Sequence, residues 1–135
     1  MDYPIINHVH IKSLDPRQSA QWWQKHFGAR VIGEFAATAG TRTIRLAIGG
    51  TARVYISNLP AGQSLAPGTA EPHLGLEHFG FDVADLAKEL ERLEKAGIKI
   101  RRPLTVIPDG MRLAFIEAPD DVLVELVEAG SSPVA

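Results

Sequence analysis

Apolar and polar side chains alternate along Ile5-Ile6-Asn7-His8-Val9-His10-Ile11-Lys12, the two-residue period of a half-buried strand. The same alternation returns in Leu76-Glu77-His78-Phe79-Gly80-Phe81-Asp82-Val83. His8 and His78 hold the same point of each segment, at an offset of 70 in the numbering (78 − 8). Each segment is followed by a helical period. Asp15-Pro16 supplies an N-cap and a first residue for a helix over about 16–27, with Ala20, Trp23 and Phe27 on one face and Gly28 as its left-handed terminator. Asp85 caps a second helix that puts Leu86, Leu90 and Leu93 on one face and ends near Ala96-Gly97. The shift of 70 carries Ala20 onto Leu90 and Trp23 onto Leu93.

Three strands are expected after each helix. In the first half they cover about 30–36, 41–48 and 51–57, with Gly49-Gly50 as a hairpin turn. In the second half they cover about 98–107, 111–117 and 122–128, with Pro108-Asp109-Gly110 and Ala118-Pro119-Asp120-Asp121 as turns. Residues 58–74, rich in Pro, Gly, Ala and Ser, read as a linker, and Gly130 to Ala135 as a frayed tail. The pattern predicts an α+β fold of two βαβββ modules within a single domain over 1–135, module one at about 4–57 and module two at about 75–128.

Successive strand residues face opposite ways. Burying Val9 and Ile11 against a helix sends His8, His10 and Lys12 to the other, open face. By the same alternation Phe79 and Phe81 pack inward, while His78, Gly80 and Asp82 face out. In the last strand Val124 and Leu126 are helix-side and Glu125 is on the open face. Shifted back by 70, the counterpart of Glu125 is Tyr55, with Arg53 and Ser57 beside it. If the two sheets curl toward each other, these faces form a cleft holding His8, His78, Glu125 and Tyr55. Two neutral imidazoles and a carboxylate suit one divalent ion among Zn, Fe, Mn, Co and Ni, with coordination positions left for substrate. Glu125 stands in Val122-Leu123-Val124-Glu125-Leu126-Val127, where an ionised carboxylate needs a partner. His10 and Tyr55 are the catalytic candidates. Lys12, Arg45 and Arg53 share the open face and point to an anionic small-molecule substrate. His26 near a helix end favours the helix dipole, and His73 falls in the linker; neither is a site candidate.

Composition narrows the classes further. A length of 135 residues, 45% apolar and 22% charged, suits one domain with a real core. A net charge of −2 gives no basic field for nucleic acid or an anionic membrane. The absence of cysteine excludes disulfides, thiolate metal sites and a thiol nucleophile. Met1-Asp2-Tyr3-Pro4 lacks a signal-peptide pattern and no apolar run spans a bilayer, so a cytoplasmic location is expected.

With these residues in view, the chain resembles the vicinal oxygen chelate superfamily, the glyoxalase/bleomycin-resistance/dioxygenase fold. The resemblance is carried by Asn7-His8-Val9-His10-Ile11, the Asp15 helix ending Trp22 to Ala29, Glu77-His78-Phe79-Gly80-Phe81, the Asp85 helix ending Leu93 to Gly97, and Phe115 to Asp121 followed by Val124-Glu125-Leu126. It covers roughly residues 5–128. It implies a metal held by His8, His78 and Glu125, a substrate bound through two neighbouring oxygens, and a homodimer in which modules pair or exchange. Two departures stand out. Members with four protein ligands carry a carboxylate where this chain has Tyr55, which argues against the typical glyoxalase I reaction. Pro119-Asp120-Asp121 lacks the usual glycine, which affects the hairpin alone. The resemblance leaves four activities open: a glyoxalase- or epimerase-like lyase or isomerase, a small Fe(II) ring-cleaving dioxygenase, a transferase or hydrolase like fosfomycin-resistance enzymes, and a non-catalytic drug-binding protein.

Overall fold

Asp15 and Asp85, related by the same offset of 70 (85 − 15), start the two helices in the same way. Each carboxylate accepts a hydrogen bond from the backbone N–H three residues on, Gln18 in one case and Lys88 in the other, at 3.1 Å both times. That satisfies one of the N–H groups a helix start leaves without a partner. In the computed structural model, which describes residues 2–130, the helices are α1 (Pro16–Phe27) and α2 (Leu86–Lys95). The tail expected to fray lies, from Ser131 onward, outside the described residues. α1 ends on Gly28 at φ 65°, a conformation that favours glycine; α2 stops sooner, and Gly97 at φ 81° follows it.

Around the helices run β1 (Val9–Lys12), β2 (Arg30–Ala36), β3 (Arg42–Ile48) and β4 (Ala52–Ser57), then β5 (Phe79–Asp82), β6 (Ile100–Val106), β7 (Arg112–Ala118) and β8 (Val122–Glu128). They form two four-stranded sheets in the orders β1-β4-β3-β2 and β5-β8-β7-β6. The chain therefore consists of two βαβββ modules, which cluster as compact units over residues 1–66 and 67–135. The repeat extends to the register. β1 pairs parallel with β4 at Val9↔Val54, and β5 with β8 at Phe79↔Val124. The β3–β4 hairpin pairs Arg45 with Tyr55, and the β7–β8 hairpin pairs Phe115 with Glu125.

Helix-side strand residues supply each core. Trp23 lies fully buried with Ile11, Ile44, Leu46, Val54 and Ile56 in module one; Leu93 and Leu86 lie with Ala114, Ile116, Val124 and Leu126 in module two. The repeat is imperfect in two places. The edge strands β2 and β6 carry register irregularities at different points, at Gly33 in β2 and around Pro103 in β6. Pro103 has no N–H to give, and a bulged edge strand tolerates that. The three-residue hairpin loops also differ. Gly49 and Gly50 take positive φ in the first, whereas in the second Pro119 occupies the first position and the left-handed pair moves on to Asp120 and Asp121. Proline locks φ near −65°, so it cannot take the place of Gly49.

One expectation is corrected. Alternation placed His8 and His78 within strands, but β1 starts at Val9 and β5 at Phe79, so each histidine sits just before its strand. The parallel pairing sets in at Val9↔Val54 and Phe79↔Val124, one residue after each histidine, although β4 and β8 themselves begin at Ala52 and Val122. Ile5 and Ile6, further upstream, stand exposed.

Candidate functional site

Module one presents the face that does not meet α1. Pairing across the strands lays its side chains out in rows: Lys12–Ser57–Thr43–Phe35, then His10–Tyr55–Arg45–Gly33, then Arg53–Ala47. The His8 ring stacks on Tyr55 with centroids 4.1 Å apart and planes within 12°, and lies 5.9 Å from His10. Its Nδ1 is 2.8 Å from the side-chain oxygen of Asn7, which makes Nδ1 the donor and leaves Nε2 as the lone-pair nitrogen.

Ser57, almost fully buried, ties the first two rows together. Lys12 Nζ donates to its hydroxyl at 2.9 Å and to the Asn58 carbonyl at 3.1 Å, and His10 Nε2 lies 2.7 Å away. Lysine only donates, so the network is satisfied when Ser57 accepts from Lys12 and gives its own proton to His10 Nε2. His10 is then a neutral ring with its proton on Nδ1. Burial, and then the charges of Lys12 and His8, lower the pKa of His10, which agrees with a neutral ring.

Arg45 crosses the same face. Its guanidinium carbon lies 4.2 Å from the centre of the Phe35 ring and 5.4 Å from that of Tyr55, within cation–π range. Gly33 pairs with Arg45 across the β2–β3 ladder, and a Cβ there would make only an ordinary contact with Arg45 Cδ at 3.9 Å.

Module two carries the other candidates. His78 Nε2 is 3.1 Å from Glu125 Oε2, and His78 Nδ1 is 3.0 Å from Glu77 Oε1. Phe115 closes against the imidazole edge-on at 5.0 Å. Gly80, paired with Glu125, has no side chain to crowd that carboxylate. Glu117, on the same face, is answered by Arg101 at 3.7 Å and Lys99 at 3.8 Å. Among the described residues, no group of three or more His, Cys, Asp and Glu side chains is gathered as a metal site. His78 and Glu125 make a close pair within module two, while His8 belongs to module one. The donor set of imidazole nitrogens and a carboxylate oxygen suits a divalent ion of the Zn, Mn or Fe type.

Three features escaped the sequence reading. Asn7 and Glu77 are repeat counterparts, each holding the Nδ1 of the histidine that follows it. Their shared offset of 70 was visible in the chain, but their contact with a ring was not. Alternation put Ser57 on the open face but did not reveal its union with Lys12 and His10. Charge was also read only as a total. Residues 1–66 hold seven Lys and Arg against three Asp and Glu, a net +4, whereas residues 67–135 hold seven against thirteen, a net −6.

A sequence model of the Glyoxalase/Bleomycin resistance protein/Dioxygenase superfamily matches residues 5–126. Glyoxalase I of Saccharomyces cerevisiae is 22% identical over 147 residues, covering 91% of this chain and 44% of its own length. The chain thus spans less than half of that relative. A glyoxalase family protein from Enterococcus faecalis has a similar structure, with a TM-score of 0.77, 25% identity, and coverage of 95% of this chain and 100% of that one. A fosfomycin resistance protein from Listeria monocytogenes, solved with Mn(II) and sulfate ion, has a TM-score of 0.69 at 15% identity and 96% coverage of both chains. No helix among the described residues is long and apolar enough to cross a membrane.

Proposed function

The chain belongs to the Glyoxalase/Bleomycin resistance protein/Dioxygenase superfamily, and from that premise we propose that it is a metal-dependent enzyme binding a small substrate through two neighbouring oxygens, most nearly a lyase or isomerase of the glyoxalase or epimerase kind. The observation that carries this reading is the His78–Glu125 pair at 3.1 Å, with the far nitrogen of His78 held by Glu77. A metal-binding histidine commonly gives its other ring N–H to an oxygen that fixes its tautomer and orientation. His8 with Asn7 repeats that arrangement at 2.8 Å, so His8, His78 and Glu125 are the three protein ligands in this reading. The Listeria protein of the same fold, solved with Mn(II), supports a divalent ion on this scaffold.

When bound, such an ion supplies Lewis-acid stabilisation to negative charge developing on the chelated oxygens. The chain's own residues do the rest. Tyr55, buried beneath His8, stacks on one face of that ring. His10, with Nε2 engaged by Ser57, offers its Nδ1–H to an oxygen gaining charge, a donor's role. Lys12, Arg45 and Arg53 face the substrate. A homodimer fits the exposed apolar residues before each first strand, Ile5 and Ile6 in one module and Leu74 and Leu76 in the other.

Metal analysis and titration of the purified protein, with sedimentation of the same samples, test this. The expected result is one divalent ion per chain, in a dimer, with affinity falling by more than ~100-fold in His78→Ala or Glu125→Ala, beyond the effect of orienting residues. Unchanged binding in both variants would sink the reading. Oxygen uptake by the iron-loaded protein with a catechol would reassign the reaction to ring cleavage.

A further inference from the structure

We infer that the open face of module one is an anion anchor: Arg45, seconded by Lys12, grips a carboxylate or a phosphoryl-type oxyanion on the substrate. This deepens the proposed function and rests on its assignment of that face to substrate. Four observations carry it.

Arg45 lies over aromatic rings. Its guanidinium carbon is 4.2 Å from the centre of the Phe35 ring and 5.4 Å from that of Tyr55. A guanidinium carries five N–H donors in a planar fork that can meet two oxygens of one anion. A cation anchored this way loses less side-chain freedom when it binds.

The face has no carboxylate to neutralise it. Of the three acidic residues in residues 1–66, Asp15 caps α1 and Glu34 points to the helix side, where it meets Arg17 at 3.2 Å and Arg42 at 3.3 Å. Asp2 precedes the sheet altogether. Among the described residues no ion pair engages Lys12, Arg45 or Arg53, although Arg17 and Arg42 on the opposite side are both paired.

Lys12 is set to assist. Two of its three protons are committed, to Ser57 and Asn58, which fixes the ammonium and leaves one N–H. Its row adjoins that of Arg45. Arg53 lies on the same face one row further along β4.

The charge is local to this module. The +4 of residues 1–66 stands against the −6 of residues 67–135, so a net charge of −2 conceals a basic face. An uncharged substrate would leave these cations without a role in recognition.

The test titrates the full-length chain with sodium phosphate or sodium acetate at constant ionic strength, balanced with chloride, while the Arg45 side-chain N–H signal is followed by NMR. Each titration is run on metal-loaded protein and on protein stripped with EDTA and then dialysed free of it, so that anion held by a metal ion is separated from anion held by arginine. The expected result is a saturable shift at Arg45 that persists in the EDTA-stripped protein. Phosphate or acetate should bind at least ~10-fold more tightly than chloride, as charge-assisted paired hydrogen bonds require. Arg45→Gln should weaken the preferred anion by ~10-fold, and Lys12→Gln by less. The tighter of the two anions identifies a tetrahedral or a planar group. No preference over chloride overturns the inference, as does binding that survives intact in a folded Arg45→Gln protein. Should that variant not fold, the wild-type signal decides alone. Because the EDTA arm needs no metal, failure here is distinguishable from failure of the metal-site reading.

Discussion

Where module one sets His10 beside Tyr55, module two sets Gly80 beside Glu125. The strands at these positions pair in the same register, offset by 70, yet the side chains share no chemistry. In module one the row continues to Arg45 and is crowded with rings and cations; in module two it continues to Phe115 and is cleared around a carboxylate. A Cβ on Gly80 would lie 3.4 Å from both Cβ and the backbone oxygen of Glu125, so a histidine there would press on the group that meets His78. The inward faces were not free to diverge in this way, because Trp23 and Leu93 at equivalent positions are both fully buried. Core packing constrains shape on one side of each sheet. The other side carries little of that burden, so one scaffold can offer a face built around carboxylates and a face built around cations and rings.

The largest expected effect bears on the half the modules share. Trp23→Ala should cost ~3–5 kcal/mol and Leu93→Ala ~2–5 kcal/mol of stability, by lost burial and residual cavity. Urea unfolding of each variant measures both, and a cost below ~1 kcal/mol at either site would break the equivalence of the two cores.

The next effect concerns the residues that orient the two histidines. Glu77→Gln should weaken divalent-metal affinity ~10-fold, the lower end for loss of a carboxylate behind a ligand histidine. Asn7→Ala should weaken it less, since a neutral amide raises ring basicity less than a carboxylate does. Competition with a chelating dye reads both. Equal losses would show that the charge on Glu77 adds nothing to the role it shares with Asn7.

The smallest effect lies in the segment leading into β5. Both nitrogens of His73 face carbonyl oxygens, Glu71 at 2.8 Å and Leu76 at 2.9 Å, and two acceptors call for a ring with two protons. These hydrogen bonds, first Glu71 and then Leu76, raise its pKa above the ordinary value. Its stabilising contribution is therefore complete below the unfolded-state pKa of about 6.5 and fades as pH rises through the folded-state value. Amide protection in residues 71–76, taken relative to the intrinsic exchange rate at each pH, should fall over that window in the wild type and not in His73→Gln. A flat profile in the wild type would remove this difference from module one, which has Tyr3 at the corresponding position.

The chain by itself determined the repeat, the helix caps, the order of elements in each βαβββ unit and the helix-side strand residues that form each core. All of these are encoded by short-range periods and by residues a few positions apart, such as Asp15 with Gln18. The tertiary structure decided what alternation cannot report. Strand starts depend on where pairing with a distant strand sets in, which left His8 and His78 one residue before their strands. The union of Lys12, His10 and Ser57 depends on β1–β4 pairing between positions far apart in the chain, and the meeting of Arg45 with Phe35 depends on the β2–β3 register. A period fixes direction because it follows from backbone geometry alone; a partner is fixed only when strands distant in sequence settle into one register.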